Sequence, residues 1–370
     1  MAALIFDKVY FPQIISINEP GIVMSRGSDW YGKSFRKKRS IYLFEKAFCD
    51  LQSGIIKKEG KKKAQEIFYR IGKDTGTRLL LLAHMDKSNE AILLPKLKII
   101  LFMLSFFGFR INEKVGYNKT KKEFFFSGKD NIFCTKTNEQ GFSAGVISGI
   151  VSILSGENIE AEKISCSFSG KDCCIVAGKK LKAKYIPDFK KIAPDDNYYR
   201  HNFIQESPIE FNKNEYAALK DLITANILET KKNSLMYFGK EHVTINEIGA
   251  ANLIFYHMNE YGLLDFSRKC IQNSHREITK PFLSSIKTKK ERINAIKKIT
   301  SGFGWGIPKF SWQEEKIKII IEKFPYSQFE DSCITSGITG MAENALSSNL
   351  AIEKIEQVGN RCILLLKKVI

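Results

Sequence analysis

The sequence predicts an α+β fold made of two tandem copies of one module, helices packed on an antiparallel sheet. Three observations lead there. The 370 residues are the length of two ordinary domains. Apolar residues switch several times between helical i, i+3, i+4, i+7 spacing and short strand-like runs. The landmarks of the first half return, in order, in the second.

Residues 1 to about 38 mix short apolar runs with Gly21, Gly27 and Gly32, which fits a β-ribbon or extended lead-in. A helix is expected from near Ser40, where Ile41, Phe44, Phe48 and Leu51 share a face. A second follows the glycine and lysine break, with Ala64, Ile67, Phe68 and Ile71 at amphipathic spacing. Gly72-Lys73-Asp74-Thr75-Gly76-Thr77 lacks phosphate-loop spacing and reads as a helix–helix connection. Apolar turns continue from Leu79 to Leu82 and from Leu97 to Phe107. Val115 to Phe126, broken by lysines, predicts paired antiparallel strands, and Phe142 to Leu154 predicts a helix. Ile159 to Ala177 predicts two strands around Ser169-Gly170-Lys171-Asp172. Pro187, Pro194 and Pro208, with Asp195-Asp196-Asn197, mark a linker. The domains are therefore read as 1–186 and 215–370, joined by 187–214.

The repeat is clearest at the ends of the halves. Glu160 to Ile164 (EAEKI) and Ala351 to Ile355 (AIEKI) each begin eleven residues after a helix-borne glycine, Gly149 or Gly340. Gly170 and Gly359 follow, and Cys174-Ile175 through Lys179-Lys180 parallels Cys362-Ile363 through Lys367-Lys368. Upstream, Phe106-Phe107-Gly108-Phe109-Arg110-Ile111 parallels Gly302-Phe303-Gly304-Trp305-Gly306-Ile307. Single matches of this length recur by chance. Several in one order do not.

Composition narrows the function. Hydrophobic residues are 44% and aromatics 12%, with 27 Phe, 13 Tyr and 3 Trp, so each half can bury a core. The charge of +18 favours polyanions, acidic partners or anionic headgroups. Yet Arg36 to Arg39, Lys61 to Lys63 and Lys287 to Lys298 are separate clusters, which reads as solvated lysine rather than a nucleic-acid site. The eight cysteines read as reduced thiols or metal ligands. No signal-peptide pattern opens the chain, and the greasiest run, Leu97 to Phe109, is too short to span a bilayer. A cytoplasmic location is expected, with peripheral membrane contact compatible with the charge.

Catalytic signatures are missing. There is no G-x-x-x-x-G-K-[ST], H-E-x-x-H or G-x-S-x-G, and no residue is assigned a catalytic role. His257 sits in an apolar helical run, where packing is its expected use, and Cys134 has no partnered histidine in view.

The glycine, cysteine and aromatic-turn pattern resembles the 4-vinyl-reductase domain, a hydrocarbon-binding module related to the core subunits of TRAPP tethering complexes. The residues carrying the likeness are Cys134, Gly145, Gly149, Cys166, Gly170 and Cys174 in the first copy. In the second they are Phe303, Gly304, Trp305, Cys333, Gly337, Gly340, Gly359 and Cys362. The resemblance implies an apolar pocket within the helices, with Phe106, Phe107, Phe109, Phe303 and Trp305 as candidate ligand contacts; core packing is the competing reading of the same rings. It also implies zinc in some relatives. Cys134, Cys166 and Cys174 fit three ligand places in the first copy. The fourth, normally a glutamate, is Lys163 here, so Glu162 is the candidate, and only a bulge would turn it inward. Buried thiols filling core gaps are the alternative. The second copy, with Cys333 and Cys362, is not expected to hold metal.

The functional expectation is a non-catalytic protein that binds a small hydrophobic molecule or acyl chain, and can serve as a sensor. A TRAPP-like assembly scaffold, with protein partners or a homodimer, is the alternative. A reductase ranks below both.

Overall fold

The computed structural model describes residues 15–27, 36–82, 92–98, 100, 114–118, 120–121, 123–128, 137, 141–165, 173–181, 212, 214–231, 235–313, 315–326 and 333–369. Most of Leu97 to Phe107, the turn at 169–172 and nearly all of the 187–214 linker lie outside them.

The first half runs β1 (Ile15–Glu19), β2 (Ile22–Gly27), β3 (Arg36–Phe44), α1 (Glu45–Glu59), α2 (Lys61–Leu82), β4 (Lys114–Asn118), β5 (Glu123–Gly128), α3 (Gly141–Ser155), β6 (Ile159–Ser165) and β7 (Cys173–Lys180). A short α4 (Leu219–Thr224) precedes the second: β8 (Glu229–Lys231), β9 (Leu235–Phe238), β10 (Glu241–Glu247), α5 (Ile248–Glu260), α6 (Leu264–Ser284), α7 (Lys289–Gly302), β11 (Ile307–Gln313), β12 (Lys316–Glu322), α8 (Cys333–Leu346), β13 (Leu350–Val358) and β14 (Arg361–Lys368). Three strands, helices, a hairpin, a glycine-bearing helix and a closing hairpin occur twice. The two four-stranded sheets share one antiparallel order, β4-β5-β7-β6 and β11-β12-β14-β13. The α+β class and the tandem module are what the chain folds into.

The three-strand lead-in belongs to the module. The third sheet has the order β1-β2-β3-β10-β9-β8, so the lead-in of each copy supplies half of it. At its centre β3 runs antiparallel to β10, pairing Phe44 with Val243, Tyr42 with Ile245 and Ser40 with Glu247. The helix expected from Ser40 is therefore strand as far as Phe44. Partnering by β10 outweighs the local helical spacing, and the helix starts at Glu45.

The chain divides into two compact units. One holds Met1–Ser28, Lys33–Phe48 and Asp195–Ile370; the other holds Asp29–Gly32 and Cys49–Pro194. In the first, β1 to β3 close onto second-copy elements. Gly21 N–H donates to Ser301 O at 2.8 Å, and Tyr42 N–H donates to Phe303 O at 2.9 Å. Arg39 is buried, and its guanidinium donates to Gly21 O, to Gly304 O at 3.3 Å and to Lys323 O at 2.6 Å. Three turns are thus held by one side chain. Lys323, itself buried, is neutralised by Glu19.

In the second unit α2 and α3 pack backbone to backbone. A Cβ at Gly149 would stand 2.1 Å from Lys73 O, one at Gly145 2.1 Å from Tyr69 O, and one at Gly76 2.2 Å from Val146 O. The Gly72 to Thr77 stretch is therefore not a connection between helices. It lies inside α2, and its glycines let α3 approach. Strand entry is fixed by hydroxyls: Ser152 Oγ accepts from Ile159 N–H at 3.0 Å, and Ser148 Oγ donates to Ile159 O at 2.7 Å.

The second copy keeps this geometry at Gly340, whose Cβ would stand 2.1 Å from Gln272 O. Aligned there, Gly149 matches Gly340, Lys73 matches Gln272 and Ile159 matches Leu350. Glu343 then replaces Ser152, accepting from Leu350 N–H at 2.9 Å. The same alignment sets Cys333 against Phe142, not Cys134. The hairpin ladders set Cys362, opposite Ile321, against Cys173, opposite Gly128, one residue from the match with Cys174 that the sequence suggested.

Gly149→Ala is expected to destabilise the chain by about 2 kcal/mol or more, because rigid main chain must move. Gly116→Ala, with nothing within 4 Å of its Cβ, should change stability by less than about 0.5 kcal/mol. Urea midpoints of the two variants check the contrast.

Candidate functional site

The Gly304 and Gly306 turn after α7 adopts φ of 77° and 100°, a region that favours glycine, and this places Phe303 and Trp305 inside the first unit. A side chain at Gly304 would also collide with Val23 Cγ2 at 2.9 Å and Ser40 O at 3.0 Å. Trp305 Nε1 donates to Tyr42 O at 2.7 Å.

Both rings are fully buried in an aromatic chain. Phe282, half-buried, meets Phe238 at 5.4 Å between ring centroids, and Phe238 meets Phe44 at 5.5 Å. Phe44 in turn touches both Phe303 and His275 at 5.3 Å. Trp305 completes the group, 5.6 Å from His275 and 5.8 Å from Phe303. Most of these pairs are tilted or edge-on, the favoured aromatic arrangement. His275 Nδ1 lies 2.8 Å from Ile271 O, so Nδ1 carries a proton and donates. A Cβ on Gly337 would stand 3.0 Å from His275 Nε2 and 3.0 Å from the Trp305 ring. Phe303 and Trp305 are thus brought together, while Phe106, Phe107 and Phe109 lie outside the described residues.

Around these rings the surrounding elements bury polar atoms that lack hydrogen-bond partners among the described residues. Among them are both amide atoms of Asn252 on α5, the Tyr42 hydroxyl on β3, Ser274 Oγ on α6 and Ser336 Oγ on α8. Asn252 is wholly enclosed. An unsatisfied buried group costs about 1–3 kcal/mol, so several of them on elements that pack together are an unusual use of interior space. All four are neutral, and burial pushes the Tyr42 phenol well above its usual range. The sequence reading missed this set. Its one visible signal was an asparagine inside the otherwise apolar stretch Ile248 to Phe255. The first copy carries Thr75 in the place of Ser274, with its hydroxyl likewise buried and unpartnered among the described residues.

Of the zinc candidates, Cys134 and Cys166 lie outside the described residues. Cys174 sits in β7 opposite Ser127 and Ser165. Glu162 is exposed on β6, between ladder irregularities at 160/161 and 163/165. Among the described residues no group of three His, Cys, Asp or Glu is placed to hold a metal. Nearby, the polar side chains serve packing: Lys73 Nζ donates to Asn158 Oδ1 at 2.8 Å and Glu160 Oε1 at 3.2 Å, and Tyr69 OH accepts from Ala161 N–H at 3.2 Å. Among the described residues no helix is long and apolar enough to cross a membrane.

No family model matches the sequence, and no curated protein matches it. Solved structures do, among them the phenol-responsive sensory domain of the transcription activator PoxR with phenol. The two are 20% identical over 45% of this chain and 88% of that one, with a TM-score of 0.31. At that score the likeness carries neither family nor ligand across.

Burial gives the tyrosines a pH signature. It pushes Tyr216 up to about 12, with Glu215 adding to the shift, and Tyr42 and Tyr69 are raised further, also chiefly by burial. The folded chain keeps protons that the unfolded chain loses above about pH 10. Stability is therefore expected to hold below that pH and fall as pH rises towards 12. Urea midpoints across the alkaline range should show this decline, and Tyr216→Phe should flatten part of it.

Proposed function

We propose that this chain is a non-catalytic binding protein that takes up a small, largely apolar molecule within the helical layer of its modules and serves as a sensor of that molecule. One observation carries the reading: Asn252, Tyr42, Ser274 and Ser336 bury neutral, unpartnered polar atoms on elements packed around the Phe44, Phe303 and Trp305 rings. An apolar interior with a few placed polar groups is the usual form of a small-molecule site. A ligand offering a donor and an acceptor would recover the cost of leaving Asn252 unsatisfied. The resemblance to the hydrocarbon-binding 4-vinyl-reductase domain runs the same way. By the repeat, Phe106, Phe107 and Phe109 are the proposed contacts in the first copy. Zinc held by Cys134, Glu162, Cys166 and Cys174 is a separate proposal for that copy, and metal content of the purified chain decides it.

A second reading, a structural scaffold of the TRAPP-like kind, is favoured by the ring packing. Phe303 and Trp305 already have protein rings as neighbours at 5.3 to 6.2 Å. Native mass spectrometry and solvent extraction of the full chain separate the two. A retained apolar molecule supports the binding protein; an empty chain that captures protein partners supports the scaffold.

Asn252→Leu sharpens the test. Removing an unsatisfied buried amide should leave the urea midpoint unchanged or raised, while ligand retention falls by about tenfold or more, equivalent to about 1.4 kcal/mol. Undiminished retention would place the ligand elsewhere.

A further inference from the structure

We propose that one end of the β11–β14 sheet docks on an anionic lipid surface. Two large apolar side chains are exposed there: Trp312 on β11, at 45%, and Val369 just beyond β14, at 52%. The strand register puts them at the same end. Trp312 pairs with Ile317, and Ile317 with Leu366; the next row is Gln313, Lys316 and Lys367. Lys368 N–H, donating to Glu315 O at 3.2 Å, closes that end against the β11–β12 turn.

Lysines outnumber carboxylates at this end, where the β11–β12 turn also carries the exposed Glu315. Trp312 lies in the row of buried Ile317 and Leu366, and Lys316 and Lys367 in the alternate row, on the other face. Lys316 and Lys367 face each other across adjacent strands, a like-charge placement that is unfavourable without an anion nearby. Lys316 is partly relieved by Glu353 at 2.8 Å. Lys289, at the start of α7, lies 5.5 Å from the Trp312 ring centroid, and Lys290 is exposed beside it. Among the described residues no carboxylate forms an ion pair with Lys289, Lys367 or Lys368, while Lys290 is within electrostatic reach of Glu215.

The chemistry favours lipid over nucleic acid. Tryptophan is at home at headgroup depth, and each lysine near an anionic leaflet adds attraction. The basic groups are all compact ammonium charges, with none of the planar guanidinium that bidentate phosphate recognition favours. Val369 offers no face for a base, and the Trp312 ring already sits beneath Lys289. The net charge of +18 strengthens long-range capture by any anionic surface, so the test must separate this patch from total charge.

The full chain should sediment with phosphatidylcholine vesicles containing phosphatidylserine, not with phosphatidylcholine alone, and less so as salt rises. Lys367→Glu with Lys368→Glu, or Lys289→Glu with Lys290→Glu, should weaken binding by about tenfold or more. Lys269→Glu with Lys280→Glu, the same charge change at exposed positions of α6, should alter it by no more than about twofold. Trp312→Ser, with every lysine kept, should also weaken it severalfold, which guards against a charge variant that fails to fold. Equal losses in the α6 control, equal binding to neutral vesicles, or capture of a single-stranded oligonucleotide in place of vesicles would each overturn the proposal.

Discussion

The antiparallel pairing of β3 with β10 is the constraint on which the first unit depends. Their partners, Phe44 with Val243 and Tyr42 with Ile245, lie about two hundred residues apart in sequence. Such a contact forms at a cost in chain entropy, but its register then fixes much else. Side chains alternate along a strand, so Tyr42 and Phe44 share a face. That face meets Phe303, and Phe44 also meets His275. The Tyr42 carbonyl receives the indole of Trp305, and Arg39, three residues earlier, reaches the Gly21, Gly304 and Lys323 carbonyls. Beyond Phe44 the chain turns into α1, where buried Glu45 lies 2.9 Å from His242. A slip of one residue would turn each of these groups to the wrong face.

Much of the module was legible from local pattern. The α3 helix, the β4–β5 and β6–β7 hairpins, and the matched glycines Gly149 and Gly340 all carry their signal within a short window. What could not be read depended on distant partners. Ser40 to Phe44 has helical spacing, yet it is strand because β10 lies alongside. Gly72 and Gly76 looked like breakers because their reason is the α3 backbone, some seventy residues on. The first residues of each copy vary too much for the repeat to be traced through them, although the sheet order treats them as equivalent. Phe303 and Trp305, named from their glycine turn, lie together in the core. The buried polar set on the surrounding elements could not be named in that way, because an isolated asparagine or serine has no periodicity to betray it.

The two copies solve one packing problem with opposite choices, and this bears on what each can hold. At two positions of the first crossing α2 supplies the small residue: Gly72 lies under the Phe142 carbonyl and Gly76 under that of Val146. Aligned on Gly149 and Gly340, the second copy has Ile271 and His275 on the corresponding helix, and Cys333 and Gly337 opposite. Bulk has crossed from one helix to the other with its total nearly kept, the kind of exchange a close-packed interior tolerates. The exchange is not neutral chemically, because it delivers the His275 imidazole to Phe44 and Trp305. Strand entry changes hands too, from the Ser152 hydroxyl to the Glu343 carboxylate, which also accepts from Gln272 at 2.8 Å. Measured from the helix starts, Cys49 occupies the place of Asn252, while Thr75 keeps the hydroxyl of Ser274. The amide has no counterpart in the first copy. On the proposed reading, a ligand that drew on the donor and acceptor of Asn252 would be matched by the second module, and one held by the first would have to be recognised by other groups.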